Sequence, residues 1–488
     1  MTDPHSSTSE LANSPVSSLQ EQLAQGATSS IEIVEALLAR IAAIDVADSP
    51  IALRSIAALS DDVRAVANER DSERVNSALR GPLHGIPILI KDNIEATGLP
   101  GAAGSSALWG RPAREAPLVA RLRQAGALIL GSTNLSQWAN MRSTRSTSGY
   151  SATGGLVGNP WALDRSAGGS SSGSGAALAA GLAPLAIGTE TDGSIVCPAS
   201  LNGVVGLKPT VGLIPTTFVV PISASQDSPG PMGRSVDDVA LLFAALSNTA
   251  RPTTAPSPTF AVATNWRTGH PETDDRFDEI MQALREDGLI LHNRELAEPG
   301  EQEGADELLV LTSELYDDLS AYLRERPGSG VASLEDVIAF EDAERAVEQR
   351  HFGHEHFLAA RATGGRASAQ YAKARQRNLD WAIEKCLRPG LHDVDLVLAP
   401  AYGPAWKSDL AVGGHPGPAS CATMAPAIAG WPIMSLPMGL VHDLPVGLAL
   451  LGRPGSEWRL LAAAQRIEAV TTARVPLPLP FWAQPQRG

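Results

Sequence analysis

Residues 143–175 are rich in serine, glycine and threonine, yet they lie between segments that read as buried. Upstream, Ile86–Ile90 and Ala127–Gly131 are short apolar runs set off by glycine and proline, the pattern of core strands. Downstream, the polar stretch runs directly into an Ala-rich helix, Ala176–Leu182. A flexible linker has this composition. Structureless loops this long inside a compact chain are uncommon, and when they occur they are usually functional. The segment is therefore either a spacer or a packed loop put to use.

The rest of the pattern is α/β. Ile31, Val34, Leu37, Leu38, Ile41 and Ile44 fall at helical spacing, with Ser29 and Ser30 as candidate N-caps. Residues 117–125 also read as helix. Late strands are expected at Val394–Pro400, Ile433–Leu436 and Val446–Leu451, and a last helix at Glu457–Ala469. Strands mixed with helices throughout define the class. At 488 residues the chain has room for about three domains or one large α/β domain. Residues 1–18 are polar and predict a disordered tail. Residues 251–258 resemble a boundary, and 265–390 are more charged and mainly helical in pattern.

Charge and cysteines exclude several function classes. The net charge of −15 argues against a broad nucleic-acid surface or a basic membrane-binding face. The three cysteines, Cys197, Cys386 and Cys421, are far apart, which suits a reducing compartment and lacks zinc-site spacing. The first residues carry no apolar core or leading positive charge, unlike a secretory signal. The most apolar stretch, Ala176–Ile187, is shorter than a membrane span. These features predict a cytoplasmic protein with no membrane partner.

Three segments carry chemistry. Lys91 follows a buried apolar run in Gly85-Ile-Pro-Ile-Leu-Ile-Lys-Asp-Asn93. Burial disfavours the ammonium, so such a lysine can serve as a base; alternatively it is a surface lysine paired with Asp92. Residues 166–175, Ser-Ala-Gly-Gly-Ser-Ser-Ser-Gly-Ser-Gly, allow close backbone approach to a ligand. They also contain G-x-S-x-G centred on Ser171, a nucleophile-elbow pattern that requires a preceding hydrophobic strand. Asn159–Arg165 is a poor one. Residues 188–198 present Ser194 after an Asp192-Gly193 turn, whose N–H groups can converge as in an oxyanion hole or simply belong to an ordinary turn. No phosphate loop occurs. His351, His354 and His356 do not share one helical face and predict no metal site.

Together these segments resemble the amidase signature family from about residue 18 to 480, most densely from Pro82 to Ser235. The Gly-Ile-Pro…Lys-Asp-Asn strand, the Gly-Gly-Ser-Ser loop and the Asp-Gly-Ser-Ile turn fall in family order. The 24-residue spacing from Ser170 to Ser194 also fits. The resemblance implies one α/β domain, residues 19–484, around a mixed sheet of about eleven strands. It implies Ser194 as nucleophile, Ser170 as a bridging serine after a cis bond from Gly169, and Lys91 as base. The backbone N–H groups of Thr191, Asp192, Gly193 and Ser194 would form the oxyanion hole. The implied reaction needs no cofactor or metal, and the implied substrates are small amides.

Gly188–Gly212 with Pro221–Met232, and Gly403–Trp406 with Asp409, look like the bacterial peptide-amidase branch. Three stretches depart from it. The loop reads Ser-Ser-Ser-Gly, Gln137 stands where an acid is expected, and Thr216–Val219 is more apolar. An apolar mouth would suit anilides or carbamates. Trp138, Met141, Phe218, Trp406 and Trp431 are the candidate pocket residues, and sequence alone equally allows each of them as core. A tRNA-dependent amidotransferase subunit would share the triad but would need partner chains. Otherwise a monomer or homodimer is expected.

Overall fold

The structure is a computed structural model that describes residues 10–49, 51–110, 114–253, 258–326, 328–414 and 417–471. Eleven strands form one sheet. In chain order they are β1 Ile56–Leu59, β2 Pro87–Lys91, β3 Leu128–Thr133, β4 Leu185–Glu190, β5 Val205–Lys208, β6 Ser228–Gly233, β7 Phe260–Ala263, β8 Leu291–Arg294, β9 Leu396–Pro400, β10 Ile433–Val441 and β11 Leu444–Gly452. Their order across the sheet is β1-β3-β2-β4-β6-β5-β10-β11-β9-β7-β8. The sheet is mixed: β2 runs parallel to β3 and β4, β7 runs parallel to β8 and β9, and the other pairs are antiparallel.

The strand alternation builds two cores. On β9, Leu396 and Leu398 join a cluster with Phe243, Phe277, Leu460 and Leu461. Val397 and Ala399 join another with Trp266, Trp381 and Ile428. Successive side chains point to opposite faces, so helices are needed on both sides. A third cluster lies over β2, β3 and β4 and takes in Leu37, Leu118 and Leu122. Among the described residues, no helix is long and apolar enough to cross a membrane.

The helix Ser30–Ile44 begins at Ser29, whose side chain accepts from the Glu32 N–H in a capping box. The expected strands at 86–90, 127–131, 394–400, 433–436 and 446–451 are present as β2, β3, β9, β10 and β11. The tail is a correction. Residues 1–9 lie outside the described residues, but Val16–Gln25 is a helix, and Ala12, Val16 and Leu19 are buried. Its low charge and helical apolar spacing are masked by the flanking serines. The Val16 N–H donates to Asp238 Oδ1 at 3.1 Å, which ties the segment to the body. The far end of the expected domain, 472–484, and residues 254–257 of the expected boundary lie outside the described residues.

The Ser/Gly/Thr segment is packed, and most of residues 166–176 are buried. It forms two small ribbons, Tyr150–Ser151 with Gly155–Leu156 and Gly158–Asn159 with Ala162–Ser166. It then enters the helix Ser172–Ala179. A Cβ on Gly173 would lie 2.3 Å from the Ser55 carbonyl and 2.4 Å from that of Asn134. Both are backbone atoms that cannot easily retreat, so Gly173→Ala should cost about 2–3 kcal/mol. A urea midpoint lowered at unchanged slope checks this; an unchanged midpoint contradicts it.

Candidate active site

Parallel β2 and β4 are neighbours, with Ile88, Leu89 and Ile90 beside Leu185, Ala186 and Ile187. The chain leaves β2 toward β3 on one side, while after β4 it continues toward β5 and β6 on the other. Such a reversal opens a crevice at the carboxyl ends of the strands, the usual binding place in α/β sheets. Lys91 ends β2 and Thr189-Glu190 ends β4 at this position.

Lys91 is fully buried. Its Nζ donates to Ser170 Oγ at 2.7 Å, to Thr189 Oγ1 at 2.9 Å and to the Thr189 carbonyl at 3.1 Å. All three acceptors are uncharged, so burial dominates and pushes its pKa down to about 7. Asp227 and Glu190 oppose the shift from farther away. The alternative reading of a surface lysine paired with Asp92 is thus removed: the Asp92 carboxylate accepts from the Ala102 and Gly104 N–H groups.

The peptide bond Gly169–Ser170 is cis. The Ser171 N–H donates to the Ser194 carbonyl at 3.1 Å, which brings the Gly/Ser loop against the Asp-Gly turn. Ser171 Oγ donates to the Thr189 carbonyl at 3.1 Å and accepts from the Thr189 N–H at 3.2 Å. Ser171 is completely buried and engaged with β4, the opposite of an exposed elbow serine.

Ser194 reaches a cleft of about 430 Å³ together with Gly169, Thr191, Asp192 and Gly193. Gly193 has φ +73°, and a Cβ there would lie 2.7 Å from the Tyr402 hydroxyl. Only glycine fits that turn. Two carboxylates hold it from behind. Glu190 Oε2 accepts from the Ile195 and Val196 N–H groups at 2.7 and 2.9 Å, at the start of the helix Val196–Asn202. Asp227 accepts from Thr191 Oγ1 at 2.6 Å and from the N–H groups of Ile222 and Ser223 at 2.9 and 3.0 Å. Burial pushes Asp227 up to about 6. Cys197 also lines the cleft, but burial raises its thiol to about 12, so it is not a thiolate there.

Of the candidate pocket residues, Met141 and Trp406 line this cleft. Trp138, Phe218 and Trp431 do not. Trp138 is buried; its Nε1 donates to Glu341 at 2.9 Å and its ring meets Phe357 edge-on. It anchors from behind the turn that carries Ala139, Asn140 and Met141 to the cleft, where residues 138–140 all have positive φ. Phe218 lies under the Arg114 guanidinium, 4.5 Å from the ring centroid. Trp431 packs on the core beside Ile428, and its carbonyl accepts from the buried Lys208.

Gln137, which departs from the expected acid, is explained by its neighbours. Its Nε2 donates to Glu348 at 2.5 Å and its Oε1 accepts from the Ala152 N–H. A carboxylate at 137 would face Glu348 with like charge. The three histidines are split among separate contacts: buried His354 pairs with Glu341, His351 packs edge-on against Tyr150, and His356 lines the cleft. Sequence motifs did not single out Thr189, Glu190, Asp227, Tyr402 or His356 as site residues. Thr189 and Glu190 sit inside the Gly188–Pro198 motif, and Asp227 inside Pro221–Met232, but their roles depend on tertiary contacts.

An α/β sheet whose crevice buries a lysine against a cis-linked serine marks the class to which sequence comparison also points. The amidase profile matches residues 32–461. Native peptide amidase from Stenotrophomonas maltophilia superposes with a TM-score of 0.87 at 39% identity, over 95% of this chain and 98% of that one. A putative amidase of Schizosaccharomyces pombe is 31% identical over 94% of this chain and 85% of its own length. Mandelamide hydrolase from Pseudomonas putida is 32% identical over 90% of this chain and 88% of its own length. The chain belongs to the amidase signature family and is a hydrolase acting on amide bonds.

The depressed Lys91 pKa has a consequence for stability. Between about pH 7 and the unfolded lysine value near 10.4, the unfolded chain holds a proton that the folded chain has lost. Stability from this group therefore rises with pH across that window. Lys91→Met should be more stable than the parent at pH 7, with a gap that narrows toward pH 10. Urea midpoints at both pH values measure it, and a gap that widens or stays constant contradicts it.

Proposed function

We propose that the protein hydrolyses primary amides at the C-terminal end of short peptides through an acyl-enzyme on Ser194. The observation that carries this reading is the 2.7 Å hydrogen bond from buried Lys91 Nζ to Ser170 Oγ beside the Ser194 turn. A serine hydroxyl is a weak nucleophile near neutral pH and needs a base. Lys91, with a pKa of about 7, is substantially neutral there. In that neutral form Nζ keeps its two N–H groups on Thr189 and turns its lone pair to the Ser170 hydroxyl, so it takes the Ser170 proton as Ser170 takes that of Ser194, and Ser194 Oγ attacks the amide carbon. The tetrahedral oxyanion is stabilised by backbone N–H groups in the Thr191–Ser194 turn. The proton returns by the same relay to the leaving nitrogen, ammonia departs, and water hydrolyses the ester with Lys91 again as base.

Substrate size follows from the cleft. Its walls combine apolar Met141, Ile222, Leu311 and Trp406 with polar Asn140, Thr144 and His356. A peptide end has both kinds of surface. The likeness to the Stenotrophomonas peptide amidase over nearly the whole chain supports this substrate class. Phe218, in the apolar stretch Thr216–Val219 that would suit anilides or carbamates, lies under the Arg114 guanidinium and does not line the cleft, which weighs toward the primary amide.

Ser194→Ala and Lys91→Ala should each lower turnover at least about 10⁴-fold with the fold intact by circular dichroism. Parent-like hydrolysis in Ser194→Ala would end the proposal. With one shared acyl group, a primary amide should be hydrolysed faster than the anilide or the aryl carbamate. A faster anilide or carbamate would retain the triad and replace the substrate class.

A further inference from the structure

The tip of the β10–β11 hairpin and the start of the helix Pro271–Glu286 bring together three residues that are distant in sequence. Among the described residues, His270, Glu272 and His442 form one group whose ligand atoms all lie within 4.8 Å of one another. Glu272 offers one oxygen to each ring: Oε2 is 3.3 Å from His270 Nδ1, and Oε1 is 3.7 Å from His442 Nε2. The imidazoles stand edge to face with centroids 5.7 Å apart. None of these residues lines the cleft at Ser194.

We propose that His270, Glu272 and His442 bind a first-row divalent transition-metal ion of the zinc type, which clamps the hairpin tip to the helix. Two imidazoles and a carboxylate suit zinc, copper or nickel, whereas magnesium and calcium want oxygen ligands. Zinc bonds of about 2.0–2.1 Å in a tetrahedron place ligand atoms about 3.3–3.4 Å apart, so ligand atoms that lie within 4.8 Å of one another here would draw together on binding by side-chain rotation. Water fills the fourth position, since the group is open to solvent.

The backbone fixes both halves. His442 and Asp443 form a two-residue turn with φ 51° and 59° between paired Val441 and Leu444. Two positive φ values make the primed turn that matches strand twist, normally Asn-Gly. The turn therefore holds His442 at a defined place rather than on a mobile loop. His270 precedes the first helical residue, and its carbonyl accepts from the Thr273 and Asp274 N–H groups. Arg276 Nε donates to the Met438 carbonyl at 2.9 Å, one turn along the same helix, and fastens it to β10. The helix N-terminus disfavours a cation, and Glu272 in its first turn offsets this. Nearby Asp274 is not available as a fourth ligand, because its carboxylate accepts from Thr268 and Gly269.

The test uses the tag-free full-length chain, stripped with EDTA, desalted and titrated with zinc chloride by calorimetry. His442→Asn keeps a residue that tolerates the turn, and His270→Gln keeps a polar side chain at a half-buried position. Expected are one equivalent of zinc bound, a Tm raised by several degrees, no effect of magnesium, and at least tenfold weaker zinc binding in each variant. Absence of zinc binding in the parent chain, or binding in either variant as strong as in the parent, would overturn the proposal.

Discussion

Everything at the site depends on burying one amine. Lys91 is placed at the end of a fully buried strand and given only uncharged acceptors, Ser170 and Thr189. With no carboxylate in contact, burial rather than pairing sets its charge, and the free base is favoured near neutral pH. An acidic partner in contact would have restored the ammonium. Asp227 and Glu190 are close enough to temper the shift, but neither touches the amine: Asp227 accepts from Thr191, Ile222 and Ser223, and Glu190 uses Oε2 on Ile195 and Val196. The buried acids therefore shape the turn that presents Ser194, while burial, not they, favours the free amine.

The sheet makes this arrangement possible. Parallel β2 and β4 put the lysine and the Thr189 acceptors at one edge, and the antiparallel return through β6 closes the sheet behind them. The Gly/Ser loop then crosses above, held by Ser171 against β4 and by the Gly173 backbone contact against Ser55 and Asn134. The end of the segment that composition alone would class as a spacer, residues 166–175, is almost wholly buried. Its small side chains let the backbone approach closely, and its hydroxyls satisfy the polar groups thus buried.

What the sequence made legible was governed by local patterns. Apolar runs such as Ile86–Ile90 and Val394–Pro400 identify strands buried on both faces. The sequence motifs, read with the family resemblance, brought out Lys91, Ser170 and Ser194. Strand β6 escaped because Ser228-Pro-Gly-Pro-Met-Gly233 reads as a turn. It pairs with β4 along its whole length but with β5 only at Met232 and Gly233, so the missing N–H groups of Pro229 and Pro231 are accommodated. Strands β7 and β8 are short and lie in a region whose charged helices dominate its composition. Pocket aromatics could not be ranked from sequence, since Trp138 and Trp406 look alike until Glu341 and Phe357 claim the first and Gly417 lies against the second. The His270–Glu272–His442 group could not be seen either, because only the hairpin and helix bring residues so distant together.

The central claim is that a neutral buried lysine activates Ser194 through Ser170. It is tested most directly by the rate of covalent labelling with a fluorophosphonate, read by mass spectrometry across pH 5–9. The account predicts a single adduct on Ser194, a rate that rises with pH through a midpoint near 7, and no labelling in Lys91→Ala. An adduct on Ser170 or Ser171, or a rate on Ser194 that ignores pH and survives Lys91→Ala, would contradict it.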